Sequence, residues 1–142
     1  MLNKLSSLIF VTSAALFLVS FAAASPLSNI RRASEIVFSP HITAPTSEAI
    51  WPMGSVQNVT WETVNLPSEK RKATGVVLLG YLENGSEHLD IRHPLAMGFR
   101  MAGGYVPIKV PSKIPERSDY ICVVFGDSGN ISQRFRITKS HH

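Results

Sequence analysis

From residue 34 onward the apolar positions come in short runs, separated by polar residues and by clusters of Pro, Gly, Asn and Asp. No stretch keeps the spacing of an amphipathic helix, and the pattern predicts an all-β domain. Over 56–61, Val59 and Trp61 share one face while Asn58 and Thr60 share the other. Residues 105–110 alternate in the same way, with Val106, Ile108 and Val110 inward and Pro107 and Lys109 outward. Pro107 cannot donate to a ladder, which predicts an edge strand or a bulge. Residues 133–138 place Phe135 and Ile137 inward, Arg134 and Arg136 outward. Two further runs, 75–82 and 120–125, are apolar on both parities and predict central strands. Residues 36–38 predict a first strand ended by Pro40, and weaker strand signals lie at 89–91 and 99–101. Asn84-Gly85 predicts a tight hairpin turn, and 126–130 a loop.

About seven strands at this spacing predict a β-sandwich of the immunoglobulin or fibronectin-III type. Two details agree. Tyr120 stands two residues before Cys122, the offset of the corner tyrosine in immunoglobulin domains, and Trp61 offers a large core anchor. Cys122 is the only cysteine, which excludes an intrachain disulfide, and its apolar setting predicts burial.

The N-terminal residues change how the composition is read. Lys4, an apolar run over 8–21 and then Ala22-Ala23-Ala24 form a secretory signal peptide, 1–24, expected to be cut after Ala24. Its small-residue end and Pro26 disfavour an uncleaved anchor. A short polar segment, 25–34, follows, and Arg31-Arg32 within it is a candidate processing site. The sandwich is expected over 35–139, with 140–142 as a tail. After Arg32 there are eleven Lys or Arg against ten Asp or Glu, a net charge of +1. No basic stripe remains for nucleic acid. Three sequons fit the secretory route, at Asn58, Asn84 and Asn130. No apolar stretch follows Lys139, so no membrane anchor is expected once the leader is removed.

Candidate chemistry is sparse. Gly126-Asp127-Ser128-Gly129 matches the nucleophile loop of chymotrypsin-type proteases. That nucleophile needs a histidine base oriented by a buried carboxylate, and no Ala-Ala-His-Cys-like segment is present. The tetrapeptide reads as a turn. His88, Asp90 and His93 have a metal-like spacing, but on a strand His93 falls on the opposite parity, and they read as solvated loop residues. Neither Ser25 nor Ala33 supplies the N-terminal histidine of copper-dependent polysaccharide oxidases. Glu83, Glu87 and Asp90 cluster along one turn instead of opposing each other across a cleft. The expectation is a protein without catalysis, metal or cofactor. Trp51, Tyr81 and Tyr105 are the candidates for stacking on sugar, Trp51 having a core role as its other reading.

The stretch Pro40-His-Ile-Thr-Ala-Pro-Thr-Ser-Glu-Ala-Ile-Trp51, then Gly54 and Val59-Thr60-Trp61, carries a recognisable order. It resembles the N-terminal domain of fungal cell-wall β-1,6-glucan synthesis proteins, which also occurs in Ser/Thr-rich GPI-anchored surface proteins. Residues 79–86 and 120–130 are similar to small secreted members. The resemblance spans about 38–137 and implies an extracellular sandwich associated with wall polysaccharide, with no catalytic residues to carry over. The Ser/Thr-rich stalk and anchor signal of larger members are not found here. The expected partners are therefore cell-wall polysaccharide (β-glucan) or wall proteins. The alternative is a secreted effector or inhibitor that binds a protein through the edge strand at 105–110.

Overall fold

Pairing of the apolar runs builds the fold. A computed structural model describes residues 38–141. The expected leader with its cut after Ala24, the segment 25–34 with Arg31 and Arg32, residues Ile36 and Val37, and His142 lie outside the described residues. Ten strands occur among the described residues: β1 (Ile42–Ala44), β2 (Ile50–Pro52), β3 (Val56–Trp61), β4 (Thr74–Glu83), β5 (Ser86–Leu89), β6 (Ala96–Arg100), β7 (Tyr105–Lys109), β8 (Arg117–Phe125), β9 (Gly129–Ile131) and β10 (Phe135–Thr138).

The two runs that are apolar on both parities become the longest strands and pair with each other. β4 and β8 are antiparallel neighbours from Val76 opposite Phe125 to Tyr81 opposite Tyr120. Each is flanked on its far side by two short strands in succession. β5 and β6 lie along β4, and β10 and β9 along β8. β2 extends this sheet by parallel pairing with β10. The second sheet has the order β1-β3-β7. The inward residues of both sheets meet in one core. Val59, Trp61, Val106 and Ile108 come from the small sheet, and Val77, Leu79, Tyr120, Cys122, Val124, Phe135 and Ile137 from the large one. This is a β-sandwich.

The parity readings for 56–61, 105–110 and 133–138 hold: Val59, Trp61, Val106, Ile108, Val110, Phe135 and Ile137 are buried. The hairpin turn holds as well, with positive φ at Asn84 (51°) and Gly85 (75°), the conformation of a type I′ turn. Other expectations need correction. Phe38 is buried but belongs to no strand, and the first described strand is β1. The 89–91 signal is realised as β5, ending at Leu89, because Asp90 closes the strand by accepting hydrogen bonds from the N–H groups of Arg92 and His93 (3.2 Å each). The 99–101 signal is realised as β6, ending at Arg100. The strand count exceeds seven because β1, β2 and β9 form as short additions without an alternation to announce them; β9 takes Gly129 and Asn130 from the expected loop 126–130 by pairing with β8.

Tyr120 anchors the start of β8. The Tyr120 hydroxyl, on a side chain 3% exposed, donates to the Pro115 carbonyl at 2.6 Å and ties the start of β8 to the loop before it. Burial raises this phenol's pKa. Tyr120→Phe keeps the ring and orphans that carbonyl. It is expected to cost about 1–3 kcal/mol, read as a lowered urea midpoint with unchanged slope.

β7 is an edge strand, as Pro107 predicts. Trp61 N–H donates to Gly104 O and Val110 N–H to Ser55 O, both at 2.9 Å, so the even positions face β3. Antiparallel alternation then turns the backbone of Tyr105, Pro107 and Lys109 toward the free edge. Pro107 offers no donor there and Lys109 brings a charge, two devices that discourage strand addition.

Candidate functional site

The three aromatic candidates do not share a face. Trp51 is 6% exposed, and its ring packs on Phe135 with centroids 4.5 Å apart. It is core, because β2 pairs with β10 and sets Trp51 beside Ile137. That excludes it as a stacking platform in the folded domain. Tyr81 is half-buried. His88, its register partner on β5, stacks on it at 4.8 Å, and Arg117 of β8 lies 4.0 Å from its ring centroid. β5 and β8 flank β4 on opposite sides, so the ring is held between two neighbours and turns only its rim outward. Tyr105 is 59% exposed on the outer face of the small sheet.

Arg117 belongs to a network that fixes this end of the large sheet. Its guanidinium donates to Asp119 at 2.7 and 3.0 Å and to Glu83 at 3.3 Å. The Asp119 hydrogen bonds raise the Arg117 pKa, and the same contact holds the Asp119 carboxyl below the usual range.

Beside Tyr81 lies a cleft of 560 Å³. Its apolar surface comes from Leu79, Leu95, Ile114, Pro111 and Pro115, and Tyr81 and Tyr120 add aromatic rims. Its polar groups are His88, Asp90, His93 and Lys113. Gly80 makes the site possible. A Cβ there would lie 2.5 Å from Leu89 Cδ2 and 2.7 Å from the His88 carbonyl oxygen, so only glycine lets β5 close on β4 and seat His88 on Tyr81. The His93 ring Nδ1 stands 3.0 Å from Asp90 Oδ2. Desolvation opposes ionisation of Asp90, but the hydrogen bonds and charge of His93 and the Arg92 N–H together outweigh it and keep the carboxyl below its ordinary range.

The segment 111–115, Pro-Ser-Lys-Ile-Pro, forms one wall of this cleft and was not among the sequence candidates. It has no periodicity to flag it. The signal it does carry is a pair of prolines bracketing a cation, which stiffens the loop that holds Lys113.

The remaining motifs separate. Gly126-Asp127-Ser128-Gly129 is a turn leading into β9: Gly126 N–H donates to Ser128 O, and Asp127 pairs with Lys70 at 2.6 Å. Among the described residues no group of three or more His, Cys, Asp or Glu could hold a metal ion. Glu83 pairs with Arg117 rather than with a second carboxylate across the cleft. Asn58 is exposed on the outer face of β3, and Asn84 is exposed at the hairpin tip. Asn130 differs. Its Nδ2 donates to the Pro40 carbonyl, and the hydroxyl of its sequon, Ser132 Oγ, is buried, accepting from Cys122 N–H at 2.9 Å and donating to Gln133 O at 2.8 Å. These bonds carry the chain from β9 into β10.

No protein-family model matches the chain, and no curated protein or solved structure matches it either.

Proposed function

We propose that this chain is a non-catalytic, secreted domain associated with the cell surface or wall, and that it binds the end of a wall glycan of the β-glucan class in the cleft beside Tyr81. The observation that carries this reading is the pairing of an apolar floor with a rim of Asp90, His93 and Lys113 in one cleft. A pyranose ring has an apolar face and a belt of hydroxyls, and such a cleft offers each its complement. The size lies within the range of small-ligand sites. Among the described residues one carboxylate, Asp90, lines the cleft, which supports binding over glycoside hydrolysis, a reaction that uses an opposed pair. The leader-like residues 1–24 and the resemblance to glucan-synthesis domains support the secreted, wall-associated part.

The strand order supports an immunoglobulin-like reading of the sandwich. β10-β8-β4-β5 against β1-β3-β7 follows the G-F-C-C′ and A-B-E arrangement, with Tyr120 at the corner position of strand F. Trp61 departs from that pattern by standing on the B-like strand. The blunted edge at Pro107 weighs against strand addition by a protein partner.

The test is retention of the purified domain on insoluble β-1,3-glucan, β-1,6-glucan, chitin and whole fungal wall. The wild type is expected to stay on one glucan. Joint replacement His93→Ala and Lys113→Ala, both at the rim, should weaken retention about tenfold or more, while Tyr105→Ala on the other sheet leaves it unchanged. Failure to bind any polymer, or equal loss with Tyr105→Ala, would remove the cleft from the reading.

A further inference from the structure

The outer face of the small sheet presents Val56, Asn58 and Thr60 from β3 against Lys109, Pro107 and Tyr105 from β7, in that register. Val56 is 68% and Tyr105 59% exposed, leaving apolar surface on an otherwise polar face. Because the even positions of β7 hold the hydrogen bonds to β3, Asn58 and Pro107 form a non-hydrogen-bonded pair, the kind whose side chains lie closest. Tyr105 and Lys109 are its diagonal neighbours, about 7–8 Å away and within reach of a large group on Asn58. The sequon's Thr60 hydroxyl is held by Thr43 Oγ1 at 2.6 Å, on the same face.

We propose that Asn58 carries an N-linked glycan whose first N-acetylglucosamine packs over Pro107 and Tyr105, and that Asn130 stays bare. This rests on the secretory reading above. In the attachment the Asn58 amide nitrogen attacks the anomeric carbon of a lipid pyrophosphate-linked oligosaccharide. A C–N bond forms, the C–O bond to pyrophosphate breaks, the lipid pyrophosphate leaves, and the amide gives up one proton. The contrast with Asn130 lies in its commitments: its Nδ2 donates to the Pro40 carbonyl, its Oδ1 accepts from the Ile131 N–H at 2.9 Å, and Ser132 is buried and bonded to the β8 backbone. The exposed tyrosine is thereby a platform for the domain's own glycan, and the small sheet becomes its covered side, away from the cleft on the large sheet.

The experiment is expression of the full chain in a eukaryotic secretory host, with medium and cells both analysed. Glycan removal by an amidase converts each glycan-bearing Asn to Asp, which peptide mass spectrometry reads. Conversion is expected at Asn58 and not at Asn130. In addition, Tyr105→Ala should lower the thermal midpoint by ~4 °C more in the glycosylated protein than in the deglycosylated one. A chain in the medium that is bare at Asn58, or glycosylated at Asn130, overturns this proposal and leaves secretion standing. An equal effect of Tyr105→Ala in both forms overturns the packing. A chain kept in the cells with no glycan at any sequon overturns the proposal and the secretory reading together.

Discussion

Trp51→Ala is expected to destabilise the domain by about 3–5 kcal/mol, the usual cost of truncating a buried aromatic. A domain of this size has a total stability of about 5–15 kcal/mol, so the variant should lose a large part of it. The ring is 6% exposed and packs on Phe135, which in turn lies 6.4 Å from Tyr120. Truncation opens a cavity between β2 and β10, and among the described residues β2 has no other strand neighbour. The sheet edge carrying Ile50 to Pro52 should therefore loosen first, visible as lost hydrogen-exchange protection at Met53, whose N–H donates to Thr138 O at 2.8 Å. Denaturant titration measures the loss. At temperatures where the variant remains folded, its retention on glucan should equal that of the wild type. An unchanged midpoint with abolished binding would return Trp51 to the role of a sugar platform.

The Cys122 thiol should react with iodoacetamide at least ~10³-fold more slowly in the folded protein than in denaturant. Two causes act together. The side chain is 0% exposed at the centre of β8, and burial raises its pKa well above the ordinary thiol value, so neither reagent nor thiolate is available. Reaction then waits for opening, and a stability of about 5 kcal/mol or more keeps the open fraction below ~10⁻³. Because only the opened chain presents an ordinary thiol, moving from pH 7 to pH 9 should accelerate labelling by about the same factor in native buffer as in denaturant. Quantitative mass spectrometry of the peptide containing Cys122 gives both rates. Comparable rates, or a disulfide-linked dimer from folded protein on a non-reducing gel, would show the thiol to be accessible.

The features legible along the chain are local. Side chains alternate along a strand with a period of two, so Val59 and Trp61, Val106 and Ile108, and Phe135 and Ile137 identify their own inward face without reference to any partner. Asn84-Gly85 specifies its turn because few residues tolerate positive φ in succession. Pro107 specifies an edge because it lacks a donor. The all-β class and the two central strands follow from the same kind of information. Tertiary structure alone decided the features that depend on which distant segments meet. Ala49-Ile50-Trp51-Pro52 has no alternation to read, and Trp51 is buried only because β2 aligns with β10 across the domain. The Asn130 sequon is equal to that at Asn58 as a motif, and it differs because Pro40, 90 residues away in the chain, accepts from its amide while Cys122, across the β8–β9 hairpin, donates to its Ser132 hydroxyl. The cleft likewise joins the β4–β5 hairpin to residues 111–115. Such pairings are chosen by the burial of the whole core, a sum over many distant contacts, and no short window of residues contains that sum.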